Sequence, residues 1–129
     1  MIVLDATAMI AVLDPHDAHF AAAREVFRAN STQRVVAHRL TVAESLVVAA
    51  RSNLAARVAS AFDALGIGRL DEPDDPVALA ELRARTGLRM PDACVLLAAH
   101  RDGAALATFD ERLAHTARDE GITVLGLIS

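Results

Sequence analysis

The stretch MIVLDATAMIAVL, residues 1–13, decides the fold. Ile2, Val3 and Leu4 are apolar strand formers, the residues from Thr7 to Leu13 are mostly apolar at helical spacing, and Asp5 stands at the join. A short strand that runs at once into a helix is the opening unit of an α/β protein. Asp5 is the awkward member. A carboxylate at the edge of a hydrophobic core costs several kcal/mol, on the order of a buried unpaired polar group, unless a partner compensates it or its pKa shifts.

The pattern repeats outward from this unit. RVVA (34–37), GIGRL (66–70), AALAT (104–108) and TVLGL (123–127) join IVLD (2–5) as expected strands. Between them, apolar residues recur three and four apart, which predicts helices near 7–13, 17–29, 41–50, 53–64, 75–86, 91–101 and 110–119. Alternation of this kind implies a mainly parallel central sheet covered on both faces. The only loop-like cluster is DEPDDP at 71–76, so residues 1–129 read as a single domain.

Several boundaries have local causes. Thr7 is placed to cap the first helix, and Thr41-Val42-Ala43-Glu44 spells a capping box. Pro91 falls at an expected first helical position with Asp92 in the first turn, where the helix dipole favours an acid. Gly103 is the expected end of that helix.

Composition narrows the classes. Apolar residues make up 53% of the chain while Trp and Tyr are absent, so the core must be aliphatic and alanine-rich. No uninterrupted apolar run reaches the ~20 residues of a membrane span, which predicts no membrane association. Cys94 is the single cysteine and no segment has a secretory layout, which together predict a reducing, cytoplasmic setting. All 13 basic residues are Arg, and the net charge of −4 argues against simple electrostatic coating of nucleic acid. Locally clustered Arg would still suit phosphate contacts.

The order of elements puts Asp5 and Asp110 just past the carboxyl ends of strands, where open α/β sheets bind ligands. Glu44 and Asp92 fall near helix starts that can reach the same edge. Taken singly, each has a bland role as a cap or a dipole partner. Brought within about 6 Å, such carboxylates would repel by roughly 3 kcal/mol per pair at an effective dielectric near 20. Oxygen donors without clustered Cys or His select hard ions, so Mg²⁺ or Mn²⁺ is the expected counter-ion. Cys94 lies among Val and Leu and reads as a small core residue. His16, His19, His38, His100 and His115 are scattered; the first two are three apart, a weak zinc signal better read as surface or partner contact.

MIVLDATAMIAVL, TVAESLVVAAR and RMPDACVLLAAHRDGAALATFDERLA, in this order and spacing, resemble the acidic motifs of PIN-domain ribonucleases, and most closely the VapC-type toxins of bacterial toxin–antitoxin pairs. LDPHDAHFAAA (13–23) is also similar to a segment of that family, and the likeness spans essentially the whole chain. It implies a three-layer α/β/α sandwich and a metal-dependent endoribonuclease. Carried onto this chain, Asp5, Glu44, Asp92 and Asp110 would form the catalytic set, with Asp5, Asp92 and Asp110 as metal ligands and Thr7 and Thr108 as supporting hydroxyls. Some relatives carry a further acid shortly after the last Asp; here Glu111 is adjacent and Arg112 follows, which speaks against a second metal.

Arg89 precedes the Met90-Pro91-Asp92 segment and is a candidate contact for a substrate phosphate; Arg34, Arg39 and Arg112 have less positional support. The resemblance implies an RNA substrate and a cognate antitoxin, with homodimerisation competing for the apolar surface of 20–27 and 46–62. Two rivals are a catalytically silent PIN-like binding module and an Mg-binding phospho-receiver domain. The latter requires a Lys near its phosphoryl site, and this chain has none.

Overall fold

A computed structural model of the chain describes residues 1–71 and 73–127. Among these residues five strands form one sheet: β1 (Ile2–Leu4), β2 (Val35–His38), β3 (Gly68–Leu70), β4 (Ala105–Ala107) and β5 (Val124–Leu125). Their order is β3-β2-β1-β4-β5, and every neighbouring pair is parallel. The helices among the described residues are α1 (Ala6–Leu13), α2 (Phe20–Ala29), α3 (Arg39–Ser45), α4 (Val47–Arg51), α5 (Ala55–Ala64), α6 (Pro76–Thr86), α7 (Met90–Arg101) and α8 (Glu111–Asp119). All five expected strand segments are present.

Side chains alternate across a strand, and here both faces are buried. Val3, Val36 and Leu106 pack against Leu82, Val95, Leu96 and Leu113 of α6, α7 and α8. Ile2, Leu4, Ala37 and Ala107 pack against Met9, Val12, Ala23 and Phe62 of α1, α2 and α5. These two cores are the interfaces of a three-layer α/β/α sandwich. Each fully buried Val or Leu contributes about 1.5–3 kcal/mol, enough for strands of three residues to hold a sheet.

The register levels the strand ends. Leu4 pairs with both Ala37 and Ala107, so Asp5, His38 and Thr108 leave the sheet on one edge. From β1 the chain winds outward to β2 and β3 on one side and to β4 and β5 on the other. The crevice between the carboxyl ends of β1 and β4 is therefore the topological switch point.

Four local expectations are corrected. Thr7 is not the cap of α1: Asp5 Oδ1 accepts the Ala8 N–H at 2.9 Å, and Thr7 sits one residue inside the helix. The capping box at Thr41–Glu44 does not form, because α3 begins at Arg39 and His38 caps it, its Nδ1 accepting the Leu40 N–H at 3.1 Å. The expected helix 41–50 is broken at Leu46 into α3 and α4. Ser45 Oγ donates to the Thr41 carbonyl at 2.7 Å, the back-bonding that bends helices, and the Leu46 N–H is shared between the Val42 and Ala43 carbonyls. The helix expected from 17 also starts later, at Phe20. The preceding residues close two Asx turns in which His16 N–H donates to Asp14 and His19 N–H to Asp17. Of the DEPDDP loop, Glu72 lies outside the described residues.

Candidate functional site

Asp5 extends β1 by one residue and continues its alternation, so it follows Val3 toward the α7 side of the sheet. It is 3% exposed. Three donors hold its carboxylate: Thr7 Oγ1 and the Ala8 N–H reach Oδ1 at 2.6 and 2.9 Å, and Thr108 Oγ1 reaches Oδ2 at 2.5 Å. Two acceptor positions on Oδ1 are thus used, and one on Oδ2 remains open.

Both hydroxyls also tie down the other side of the switch point. Thr7 Oγ1 accepts the Phe109 N–H at 2.9 Å, and Thr108 Oγ1 accepts the Asp110 N–H at 3.0 Å. Asp110 caps α8 through Oδ1, which accepts the Leu113 N–H at 3.0 Å. Its bland reading as a helix cap is correct, and it leaves Oδ2 for other work. Asp92 lies in the first turn of α7, partly buried, and Glu44 is exposed near the end of α3.

Electrostatics link the acids. Burial pushes the Asp5 carboxyl above the ordinary range, the Thr108, Thr7 and Ala8 donors pull it back in part, and the charge of Asp92 pushes it up again. Burial likewise raises Asp92; Arg89 and Arg112 oppose the shift, while Asp110 and Glu44 add to it. Asp92 is thus linked to the other three: Asp110 and Glu44 act on it, and it acts on Asp5. They share one edge without forming a tight cage: among the described residues, no three of these four offer ligand atoms all within 4.8 Å of one another.

The basic candidates separate by position. The Arg89 guanidinium lies 4.0 Å from Asp92 Oδ2 and is 78% exposed, and Arg112 acts on the same carboxylate. Arg39 follows β2 and lies on the acidic edge. Arg34 precedes β2, and its carbonyl accepts the Ile2 N–H, so it sits at the opposite edge of the sheet and far from the acids.

His38, Asp74 and Cys94 do come within 4.8 Å of one another, a grouping that sequence inspection missed because the three are far apart in the chain. It does not suit a cation. His38 Nδ1 accepts the Leu40 N–H, which places the ring proton on Nε2, and Nε2 donates to Asp74 Oδ2 at 2.8 Å. Burial first, and Asp74 second, push the Cys94 thiol up to about 11, so it stays protonated. The trio is a hydrogen-bonded tie between the β3–α6 loop and the start of α3. Cys94 is a core residue, as expected.

The family model for the PIN domain matches residues 2–119. No curated protein matches in sequence. Among solved structures, the chain resembles VapC20 of Mycobacterium tuberculosis, a sarcin-ricin loop cleaving toxin, with 13% identity over 89% of this chain and 94% of that one at a TM-score of 0.69. It resembles FitAB bound to a DNA fragment, with 20% identity over 97% and 94% of the two chains at a TM-score of 0.71. PAE2754 of Pyrobaculum aerophilum matches at 21% identity over 95% and 89%, with a TM-score of 0.64. These likenesses are in the fold, and the family model supplies the sequence link: the chain belongs to the PIN domain family of nucleases.

Proposed function

We infer that this protein is a divalent-metal-dependent endoribonuclease acting as the toxin of a type II toxin–antitoxin pair. The observation that carries it is the convergence of Asp5, Asp110, Asp92 and Glu44 on the switch-point edge, with Asp92 coupled to the other three. The donor set suits Mg²⁺ or Mn²⁺, since it is made of carboxylate oxygens only. Asp5 would bind through the open position on Oδ2, Asp110 through its Oδ2, and Asp92 through its partly buried carboxylate. Such an ion would supply Lewis-acid polarisation of the phosphate, acidification of water and charge stabilisation at the leaving oxygen.

The chain's own groups do the rest. Thr7 and Thr108 fix the orientation of Asp5, and Thr108 also holds the Asp110 backbone, so the two acids keep their spacing. Glu44 is solvent-facing and would accept a proton from the attacking water. Arg89, exposed at the mouth, would hold a non-bridging phosphate oxygen. No protein nucleophile is needed.

Partner binding has a surface to use. A groove beside the acids is lined mainly by apolar side chains, among them Ile10, Leu13, Val48, Val58 and Phe62, and Glu44 stands on its rim. An amphipathic antitoxin segment laid there would reach the acidic edge, and a second copy of the chain competes for the exposed Val47, Val48 and Leu54. FitAB, with the same fold, is known from a complex on DNA.

The test is cleavage of structured RNA with added Mg²⁺ or Mn²⁺, by wild type and Asp5→Asn. Cleavage by wild type that chelator abolishes, and a loss of at least about 100-fold in the variant, is expected. RNA binding without any cleavage would favour the silent module, and metal-dependent cleavage unchanged in the variant would remove Asp5 from the mechanism.

A further inference from the structure

His19 was expected to make a surface or partner contact, and the fold gives it a specific neighbour within the chain. Its imidazole lies on the Phe109 ring with centroids 4.6 Å apart and planes within 8°. That is the spacing and parallelism of a stacked aromatic pair. Phe109 is 8% exposed, whereas His19 is exposed, so the imidazole covers the phenyl ring and is open to solvent beyond it.

Both halves of the stack are anchored. The Phe109 N–H donates to Thr7 Oγ1 at 2.9 Å, and its ring packs so closely on Gly126 that a Cβ there would lie 3.1 Å from Cε1. The His19 N–H donates to Asp17 Oδ1 at 2.8 Å, which sets the residue just before α2. One turn along α2, the Arg24 guanidinium sits 5.0 Å from the Phe20 ring centroid, so a cation is held close by. Phe109 follows Thr108, which bonds to Asp5, and its N–H reaches Thr7, so its backbone lies at the acidic edge while its ring packs on the α1 and α2 side with Leu4, Ala8 and Ala23, and the plate flanks the strand ends from that side.

We propose that the His19–Phe109 stack is a nucleobase platform: the open face of the imidazole takes a base flanking the phosphate held at the acidic edge. The proposal rests on the ribonuclease reading and extends it to a base-binding subsite. A flat, rigid plate flanking the strand ends suits an unpaired base of a strand that crosses them, because every base offers a π-face, and stacking of this kind binds single strands with little sequence demand. Preorganisation by Thr7, Gly126 and Asp17 lowers the ordering cost of the contact.

The test uses the full chain carrying Asp5→Asn, which keeps RNA intact, and fluorescein-labelled single-stranded RNAs of about 12 nucleotides. Adding His19→Ala is expected to weaken binding by about 5- to 50-fold, while His19→Phe, which keeps a flat ring, stays within about threefold. An abasic residue at one position of the strand should cost the parent a similar factor and cost the His19→Ala protein nothing further. Melting curves of each variant establish that it is folded. Equal binding by the His19→Ala protein, or an abasic penalty that is the same with and without His19, overturns the platform alone. A parent that binds none of the RNAs overturns the ribonuclease reading and the platform with it.

Discussion

Asp5 concentrates the physics of this site. Its carboxyl is raised above the unfolded value near 3.9 because burial outweighs three hydrogen bonds. In the window between the unfolded and the folded value, the folded state holds more protons. Stability of the metal-free protein should therefore fall as pH rises through that window and level off above it, a sign that Asp92 shares. Asp5→Asn removes part of this slope. Urea melts in chelator from pH 4 to 8 should show the variant gaining on wild type as pH rises, and superimposable profiles would refute the burial cost. Thr108 is the matching test from the donor side. Thr108→Val strips one hydroxyl that serves Asp5 and the Asp110 N–H, and it should cost about 1–3 kcal/mol in melts. The same variant should weaken Mg²⁺-dependent stabilisation by about 10- to 100-fold in affinity. Asp5 was identifiable from its place alone, as a charge ending an apolar run. Its partners were not, since Thr108 lies 103 residues away.

At the level of elements, the switch point depends on close approach between the segment after β5 and the end of β4. Gly126 has φ +103, and a Cβ there would lie 2.9 Å from the Thr108 carbonyl oxygen and 3.1 Å from Phe109. Gly126→Ala is expected to cost about 1–3 kcal/mol from backbone strain, with additional loss of cleavage because Thr108 must shift. A melt unchanged to within about 0.5 kcal/mol would show that the segment relaxes freely. The strands were readable because each is a short apolar run between polar turns. Helix boundaries were less so. T-V-A-E at 41–44 has the residues of a capping box, yet His38 reaches α3 first. The break at Leu46 follows from Ser45 bonding back to Thr41 beneath Met9, a contact between α3 and α1 that periodicity cannot express.

For the whole molecule, the exposed apolar surface of α1, α4 and α5 is the feature a lone chain would not need. Val48 is 73% exposed. Val48→Asp should leave the melting free energy within about 0.5 kcal/mol and yet lower self-association or antitoxin binding, measured by light scattering and titration. Unchanged association would move the partner surface elsewhere.

The sequence by itself determined the alternation of strands and helices, the aliphatic core and the anomaly of Asp5, because periodicity and the cost of a charge beside a core are local properties; the other three acids of the proposed site came from the family resemblance of their motifs. Tertiary structure decided the rest. Only the parallel order β3-β2-β1-β4-β5 brings the ends of β1 and β4 together and sends Arg34 to the far edge. Only packing lays His19 on Phe109 and joins His38 to Asp74, since pairs separated by tens of residues leave no trace in a local pattern and are created when the two faces of the sheet are buried.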